Sequence, residues 1–259
     1  MQIPIYQVDA FTSELFGGNP AAVCPLASWP EDALLQAIAA ENNLSETAFL
    51  VPKGEGYELR WFTPLTEIDL CGHATLGAAH VVFHYLNIHR DRVEFETGSG
   101  PLSVTREGPL LAMDFPARPG KPCRAPAALV RGLGAEPREL YLSRDYMAVF
   151  DSEKQVRAIV PDVRALAELE VTGIIVTAPG DESDFVSRFF APREGIPEDP
   201  VTGSSHCTLV PYWARRLDRT TLEARQVSAR GGVLHCENLG ERVKISGEAV
   251  VYLEGTISV

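Results

Sequence analysis

Two segments of this sequence are expected to form helices that are buried on every side, and they constrain the fold more than any other feature. Residues 71–83 and 202–214 each begin at a glycine-containing turn and contain no Asp, Glu, Lys or Arg. A helix without a polar face has no side for water and has to be covered by other elements. The two segments lie about 130 residues apart, so the sequence predicts two similar halves, each built around one buried helix.

Strand-like patterns surround both helices. Apolar residues that alternate or run together between Gly, Pro and Asn turns predict strands, and a 3.6-residue periodicity predicts the outer helices. The expected strands are 3–9, 21–24, 46–51, 57–62, 92–96, 102–105, 110–115, 139–142, 147–150, 173–177, 243–245 and 250–253. The expected outer helices are 30–41, 127–133 and 162–169.

A proline-rich segment marks the boundary between the two halves. Residues 116–126 contain four prolines and Gly120, a composition that is typical of linkers. We therefore expect a first half at residues 1–116 and a second half at residues 117–247.

Composition limits the classes of partner. The 259 residues are 45% hydrophobic and 22% charged, with a formal net charge of −12 and no run of Lys and Arg. A nucleic-acid-binding surface and a basic membrane-surface helix are therefore not expected. No window reaches the roughly 18–20 apolar residues of a membrane span, and the first residues lack the pattern of a signal peptide. The five cysteines include no Cys-x-x-Cys pair, so we expect a reduced, cytoplasmic protein without disulfides or a metal site.

The starts of the two buried helices are candidates for binding a small anion. The first N–H groups of a helix lack acceptors within the helix, and the helix dipole places about half a positive charge there. Gly72 with His73, and Gly203 with Ser204, occupy these positions. We expect them to hold the carboxylate of a small metabolite without a basic pocket.

Three side chains are candidates for proton transfer. Glu46 stands where a polar segment passes into an apolar strand, and a carboxylate there is either a general acid/base or an exposed strand-entry charge. Asp199 precedes Pro200 and the second glycine turn, where an Asp also serves simply to form the turn. His73 at a buried helix start predicts a neutral imidazole that relays a proton, with a satisfied core histidine as the alternative.

Cys71 is a separate candidate, because a thiol at a helix N-terminus is a competent base. A racemase that uses two thiols needs the second one at the matching place in the other half. That place holds Thr202, and Cys207 lies about one helical turn further along. We therefore interpret Cys71 as a small buried residue.

Five short motifs together resemble the PhzF-like family, which takes its name from an isomerase of phenazine biosynthesis. They occur in the family's order and span almost the whole chain: Val8-Asp9-Ala10-Phe11, Gly18-Asn19-Pro20, Asn43-Leu44-Ser45-Glu46-Thr47, Leu70-Cys71-Gly72-His73-Ala74-Thr75 and Glu198-Asp199-Pro200-Val201-Thr202-Gly203-Ser204. The resemblance implies an α+β fold like that of diaminopimelate epimerase. In this fold two pseudo-symmetric halves, each a curled mixed sheet around a central buried helix, flank an active-site cleft. The strand near residues 248–259 is then expected to join the first half.

The resemblance also implies roles for individual residues. Glu46 corresponds to the principal acid/base, His73 and Asp199 to further catalytic groups, and the substrate-binding positions are Asn19, Gly72, Gly203 and Ser204. The resemblance implies a homodimer, and it implies no metal or organic cofactor. Cys71 departs from the pattern of the phenazine enzyme, which resembles a chain with a small non-thiol residue at this position. The resemblance therefore supports acid/base chemistry for this chain more strongly than it supports the substrate of the phenazine enzyme.

The sequence thus predicts a cofactor-independent isomerase or epimerase that shifts a proton on a small carboxylated metabolite. Two alternatives stay open at this point. One is a racemase or epimerase that depends on Cys71, and the other is a non-catalytic metabolite-binding protein that keeps the fold.

Overall fold

The computed structural model describes residues 1–259 and divides them into two compact units. The first unit consists of Met1–Asp114 with Ser246–Val259, and the second consists of Phe115–Ile245. The division expected from the sequence is 1–116 with 248–259, and 117–247. No helix has both the length and the apolar character that a membrane crossing requires.

Eighteen strands and six α-helices make up the two units. The strands are β1 (Gln2–Ala10), β2 (Asn19–Pro25), β3 (Glu46–Lys53), β4 (Gly56–Phe62), β5 (Glu67–Ile68), β6 (Arg92–Thr97), β7 (Gly100–Glu107), β8 (Leu110–Pro116), β9 (Lys121–Pro122), β10 (Glu139–Leu142), β11 (Tyr146–Val149), β12 (Ile174–Pro179), β13 (Phe185–Ala191), β14 (Ile196–Asp199), β15 (Thr221–Gln226), β16 (Gly232–Asn238), β17 (Arg242–Gly247) and β18 (Ala249–Ser258). The helices are α1 (Asp32–Asn42), α2 (Gly72–Val81), α3 (Ala127–Leu133), α4 (Glu153–Ala158), α5 (Val163–Ala167) and α6 (Gly203–Leu217).

The first unit is a mixed sheet that the C-terminal strand completes. Strand β2 runs parallel to β3, and β4 runs parallel to β6. The pairs β1–β2, β3–β4, β4–β5, β6–β7 and β7–β8 are antiparallel. Strand β18 pairs antiparallel with β1 from Gln2↔Ser258 to Ala10↔Ala249, so the chain ends beside its own first strand.

The second unit repeats this order of pairings. Strand β11 runs parallel to β12, and β13 runs parallel to β15. The pairs β10–β11, β12–β13, β13–β14 and β15–β16 are antiparallel. Helix α2 follows β5 in the first unit, and α6 follows β14 in the second. The shared order of strands and helices shows that the two units are copies of one topology.

Each unit contains one of the two buried helices. Eight of the ten residues of α2 are buried, and Gly77 brings the helix close to the sheet, since a Cβ there would lie 3.5 Å from Cβ of Val8. Ten of the fifteen residues of α6 are buried. Pro211 lies inside this helix, which continues to Leu217.

Two apolar clusters form much of the core. The cluster of the first unit packs α1 against the sheet through Leu35, Ile38, Phe49 and Phe62. The cluster of the second unit contains Leu129, Leu133, Phe150, Val156, Leu166, Ile174, Val186 and Phe190, which lie on the small helices and on the central strands.

Strand β13 was not expected from the sequence, although all seven of its residues are buried. Arg188 interrupts its apolar run and hides the pattern of a core strand. The structure accommodates this charge because Nε of Arg188 donates to Oε1 of Glu198 at 2.7 Å and Nη1 donates to the Ile159 carbonyl at 2.7 Å. A buried guanidinium with partners of this kind is compatible with a core position.

Candidate active site

An acidic and a basic side chain lie buried against each other in the first unit. Glu46 is the first residue of β3 and His73 is the second residue of α2. Nε2 of His73 lies 3.0 Å from Oε2 of Glu46, and both side chains are less than a tenth exposed. The two atoms are in ion-pair contact, and neither has a further hydrogen-bond partner. The Glu46 oxygen therefore keeps hydrogen-bonding capacity for a third group.

Asn19 and Cys71 face the other nitrogen of the same imidazole. Nδ1 of His73 lies 3.2 Å from Nδ2 of Asn19 and 3.5 Å from Sγ of Cys71. Asn19 directly follows Gly18, whose φ is +60°, and a Cβ on Gly18 would lie 2.2 Å from the Ala10 carbonyl oxygen. Only glycine fits this turn, and the turn delivers Asn19 to the imidazole.

The environment of His73 raises its pKa well above the ordinary value of 6.5. Burial alone lowers the pKa, but the Cys71 sulfur and the Glu46 carboxylate raise it by more than burial lowers it. The prediction of a neutral imidazole considered burial alone, and the carboxylate 3.0 Å away shifts the pKa of His73 in the opposite direction. A charged imidazole beside Glu46 is a proton donor held next to a proton acceptor.

The raised pKa of His73 predicts a pH-dependent contribution to stability. A histidine with a raised folded-state pKa stabilises the fold fully below its unfolded value of about 6.5, and this contribution is lost as pH rises through the folded pKa. The loss of unfolding free energy caused by His73→Asn should therefore be greatest below about pH 6.5 and should shrink as pH rises. Urea unfolding of wild type and of His73→Asn, at pH values below and above about 6.5, measures this difference in unfolding free energy. The exposed His89→Asn is the control, and a His73→Asn difference that stays constant or grows with pH would contradict the assignment.

Cys71 is a buried thiol with a raised pKa. Burial, with a smaller contribution from Glu46, raises the pKa of Cys71 to about 11. The group is therefore mostly protonated near neutral pH, which makes it a poor base. Glu46, Cys71 and His73 each offer one possible ligand atom, and these atoms lie within 4.8 Å of one another. This donor set is compatible with a divalent transition metal, so the expected absence of a metal stays an expectation.

Helix α2 and the turn after it contain a second histidine pair, which was not expected. His80 and His84 are four residues apart, a spacing that also occurs in metal sites. Their rings are stacked with centroids 4.1 Å apart, and burial together with the His84 charge lowers the pKa of His80 to about 4. The stacked arrangement points the in-plane lone pairs side by side and not toward one point, so it is not a preformed metal site.

The predicted residues of the second unit are joined by a buried hydrogen-bond network. Asp199, the last residue of β14, accepts a short hydrogen bond from the Thr202 hydroxyl. Gln226 donates from Nε2 to the Asp199 carbonyl at 2.7 Å, and its Oε1 accepts from the Thr202 backbone N–H at 2.9 Å. The network fixes the turn before α6. The simple turn-forming role considered for Asp199 is therefore at least part of what it does.

Gly203 and Ser204 begin α6 as expected, and a basic side chain that was not expected lies beside them. Nη2 of Arg144 donates to Oγ of Ser204 at 3.1 Å and to Oδ2 of Asp145 at 3.2 Å. The expectation of an anion position without a basic group is therefore wrong for this helix. Arg144 lies in an Arg-Asp pair just before β11, about 60 residues from Ser204 in sequence, and no local pattern connects the two.

His206 is a further buried polar residue of α6. Its Nδ1 lies 2.8 Å from the Thr202 carbonyl oxygen, while its Nε2 has no hydrogen-bond partner. Burial lowers the pKa of His206 to about 4, so the ring is neutral near pH 7. The ring packs against Phe185 with centroids 5.9 Å apart, in keeping with a core histidine.

Comparisons with known proteins agree with this picture. The chain matches the model of the phenazine biosynthesis-like family, PhzC-PhzF, over residues 8–255. It is 53% identical over 257 residues to an uncharacterized isomerase of Pseudomonas aeruginosa, with 99% of each chain covered. A crystal structure of a PhzF family protein from Enterococcus faecalis superposes with a TM-score of 0.98 at 48% identity over 100% of both chains. A hydroxyproline epimerase from Agrobacterium vitis has the same fold, with a TM-score of 0.65 at 10% identity over 100% of this chain and 93% of the epimerase.

The chain therefore belongs to the PhzF-like family of phenazine biosynthesis-like proteins. It is an isomerase by class, in common with its relatives in Pseudomonas aeruginosa and Halalkalibacterium halodurans. The predicted family and the α+β fold like that of diaminopimelate epimerase are confirmed. The roles of Glu46, His73 and Asp199 stay predictions.

Proposed function

We propose that this isomerase works without a cofactor and moves a proton on a small carboxylated metabolite by general acid/base catalysis. The observation that supports the proposal is the buried contact between Glu46 and His73, with Oε2 and Nε2 3.0 Å apart. Burying two ionisable groups is costly unless they are paired, and a buried pair whose carboxylate oxygen has no further partner is suited to a third, reacting group.

In the proposed reaction Glu46 removes a proton from a carbon next to the carboxylate or to an imine-like group. The electron pair of the broken C–H bond moves into the conjugated system, and the proton returns to a different atom or to the opposite face. His73 holds the Glu46 carboxylate and exchanges protons with it, while Asn19 fixes the imidazole from the other side. The proposal assigns Asp199 to positioning, because it takes part in the network before α6. Gly72, Gly203 and Ser204 are assigned to the substrate carboxylate.

Proton NMR in D2O with a panel of small carboxylated metabolites, including dihydro-hydroxyanthranilate, tests this function. Enzyme-dependent deuterium uptake or isomerisation of at least one member is expected, and it should persist after dialysis against EDTA. Loss of activity on EDTA treatment, restored by added metal, would contradict cofactor independence and would point to the Glu46, Cys71 and His73 donor set. Binding without exchange across the whole panel would favour a non-catalytic binding protein.

A Cys71-dependent reaction is the second candidate, because Sγ lies 3.5 Å from Nδ1 of His73. The raised pKa of Cys71 argues against it, since little thiolate forms near neutral pH. Under the Glu46 mechanism Cys71→Ser should keep deuterium exchange within about tenfold of wild type, a limit set well below the loss expected for a general base. Inactivity of Cys71→Ser, together with inactivation of wild type by alkylation, would establish the thiol mechanism instead.

The assembly and the compartment are also proposals. We propose a homodimer, by analogy with the family, and a cytoplasmic location, which suits five cysteines that are all free. Light scattering coupled to gel filtration measures the first, and fractionation of the source cells measures the second.

A further inference from the structure

Arg144 is the basic side chain that contacts one of the residues assigned to the substrate carboxylate. Its Nη2 donates to Oγ of Ser204 at 3.1 Å, and its side chain is 37% exposed. Ser204 is half-buried as the second residue of α6. The guanidinium therefore brings a full positive charge to this helix start, and its remaining N–H groups are accessible.

The duplicated topology shows that this contact has a counterpart in the first unit. His73 is the second residue of α2 as Ser204 is of α6, and each follows a glycine that begins the helix. Asn19, at the start of β2, reaches His73, and Arg144, just before β11, reaches Ser204. The strands β2 and β11 occupy the same place in the order of pairings. The same backbone location thus delivers an amide in one unit and a guanidinium in the other.

A buried carboxylate holds Arg144 in place. Asp145 is 2% exposed, and its Oδ2 and Oδ1 lie 3.2 Å and 3.4 Å from Nη2 and Nε of Arg144. This pairing fixes the guanidinium but leaves Nη1 without a partner in the pair. The charge of Arg118 also acts on the Asp145 carboxylate and lowers its pKa, although burial raises the pKa of Asp145 by more. The guanidinium of Arg144 is therefore held with its positive charge beside Ser204.

We propose that Arg144 and Ser204 together form the binding position for the substrate carboxylate, and that Arg144 is a specificity-determining residue that selects anionic over neutral substrates. The inference rests on the proposed function, because it takes the carboxylate as the group that Ser204 binds. Asp145 is a positioning residue in this arrangement, since it acts through Arg144. A guanidinium and a hydroxyl on one carboxylate form charge-assisted hydrogen bonds, which are stronger than those from neutral groups alone.

Benzoate, with benzamide as its neutral analogue, is the probe. Wild type should bind benzoate more tightly than benzamide in calorimetric or NMR titrations, and benzoate should shift the Arg144 side-chain Nε–H resonance. Arg144→Gln should weaken benzoate binding by about 10- to 100-fold and leave benzamide unchanged, with Arg144→Lys in between. Arg131→Gln is the matched control, because that arginine forms an exposed ion pair in the same unit.

Each outcome decides the proposal. Equal affinity of wild type for benzoate and benzamide, no binding of benzoate, or an Arg144→Gln variant that binds benzoate as wild type does would overturn it, provided that thermal unfolding shows the variant folded. Asp145→Asn should lower benzoate affinity less than Arg144→Gln does. Because these titrations need no turnover, benzoate binding through Arg144 without proton exchange on any substrate would contradict the proposed isomerisation and leave the anion position standing.

Discussion

Glu46→Gln is expected to lower the rate of enzyme-dependent proton exchange by about 10²–10⁴-fold, the usual loss when a general base is removed. The substitution keeps the size and the hydrogen-bonding shape of a side chain that is 6% exposed, so the surrounding core has no cavity to fill. It removes the one carboxylate among the four side chains that meet there, which are Asn19, Glu46, Cys71 and His73. Binding of benzoate should be unchanged, because Arg144 and Ser204 carry the proposed anion position and Glu46 is not part of it.

The control for this variant is Glu41→Gln, which changes an exposed glutamate on α1. It should exchange protons at the wild-type rate. The pKa of His73 offers an independent readout in the same protein, because the Glu46 carboxylate is one of the groups that raise it. NMR titration of the imidazole should show a lower pKa in Glu46→Gln. A full exchange rate in Glu46→Gln would remove Glu46 from the reaction, and an unchanged pKa of His73 would contradict the ion pair.

The two helices and the residues that start them were predictable because their evidence is local. A segment with no charged residue over more than ten positions has to be buried, and a glycine before it marks the start. Gly72, His73, Gly203 and Ser204 all lie where this pattern put them, at the first two positions of α2 and α6. Their roles were assigned by resemblance, which carries chemistry that the pattern does not.

Contacts between residues far apart in sequence could not be predicted in the same way. Arg144 reads as one of 23 basic residues until the fold brings it to Ser204. The charge state of His73 depends on Glu46, 27 positions earlier, and burial considered alone gave the opposite direction. Arg188 made a core strand look like a surface strand because its partner Glu198 lies on the next strand. In each case the deciding interaction was a pair of polar groups, and hydrophobic periodicity does not record such pairs.

The repeated topology explains how one strand order presents two different sets of polar side chains. Where Glu46 starts β3 in the first unit, Ile174 starts β12 in the second. Asn19 begins β2 in the first unit, and Arg144 lies just before the matching strand β11 in the second. The first unit therefore holds the proposed proton-transfer groups Glu46 and His73, and the second has Arg144 and the network around Asp199. A backbone copied in this way allows each half to change its side chains without changing the strand order that presents them.

The largest stability effect is expected at Trp213, which anchors α6 within the second unit. Its indole is 1% exposed and stacks on Phe185, with centroids 5.6 Å apart and the planes inclined by 6°. Nε1 donates to Oγ1 of Thr177 at 2.9 Å, and Thr177 in turn donates to the Val186 carbonyl at 2.7 Å. The side chain therefore joins the buried helix to two neighbouring strands through both packing and hydrogen bonding.

Trp213→Ala should lower the free energy of unfolding by about 3–5 kcal/mol, the range seen when a large buried aromatic side chain is deleted. Trp213→Phe keeps most of the packing but leaves the Thr177 hydroxyl without its indole donor, so a loss of about 1–3 kcal/mol is expected. Urea unfolding measures both, with Trp29→Phe as the control at a partly exposed tryptophan whose Nε1 donates to Glu58. Equal losses for Ala and Phe would mean that the hydrogen bond, and not the packing, anchors the helix. A loss below about 1 kcal/mol for Trp213→Ala would show that α6 holds its place without this side chain, because a well-packed core site cannot give so small a change.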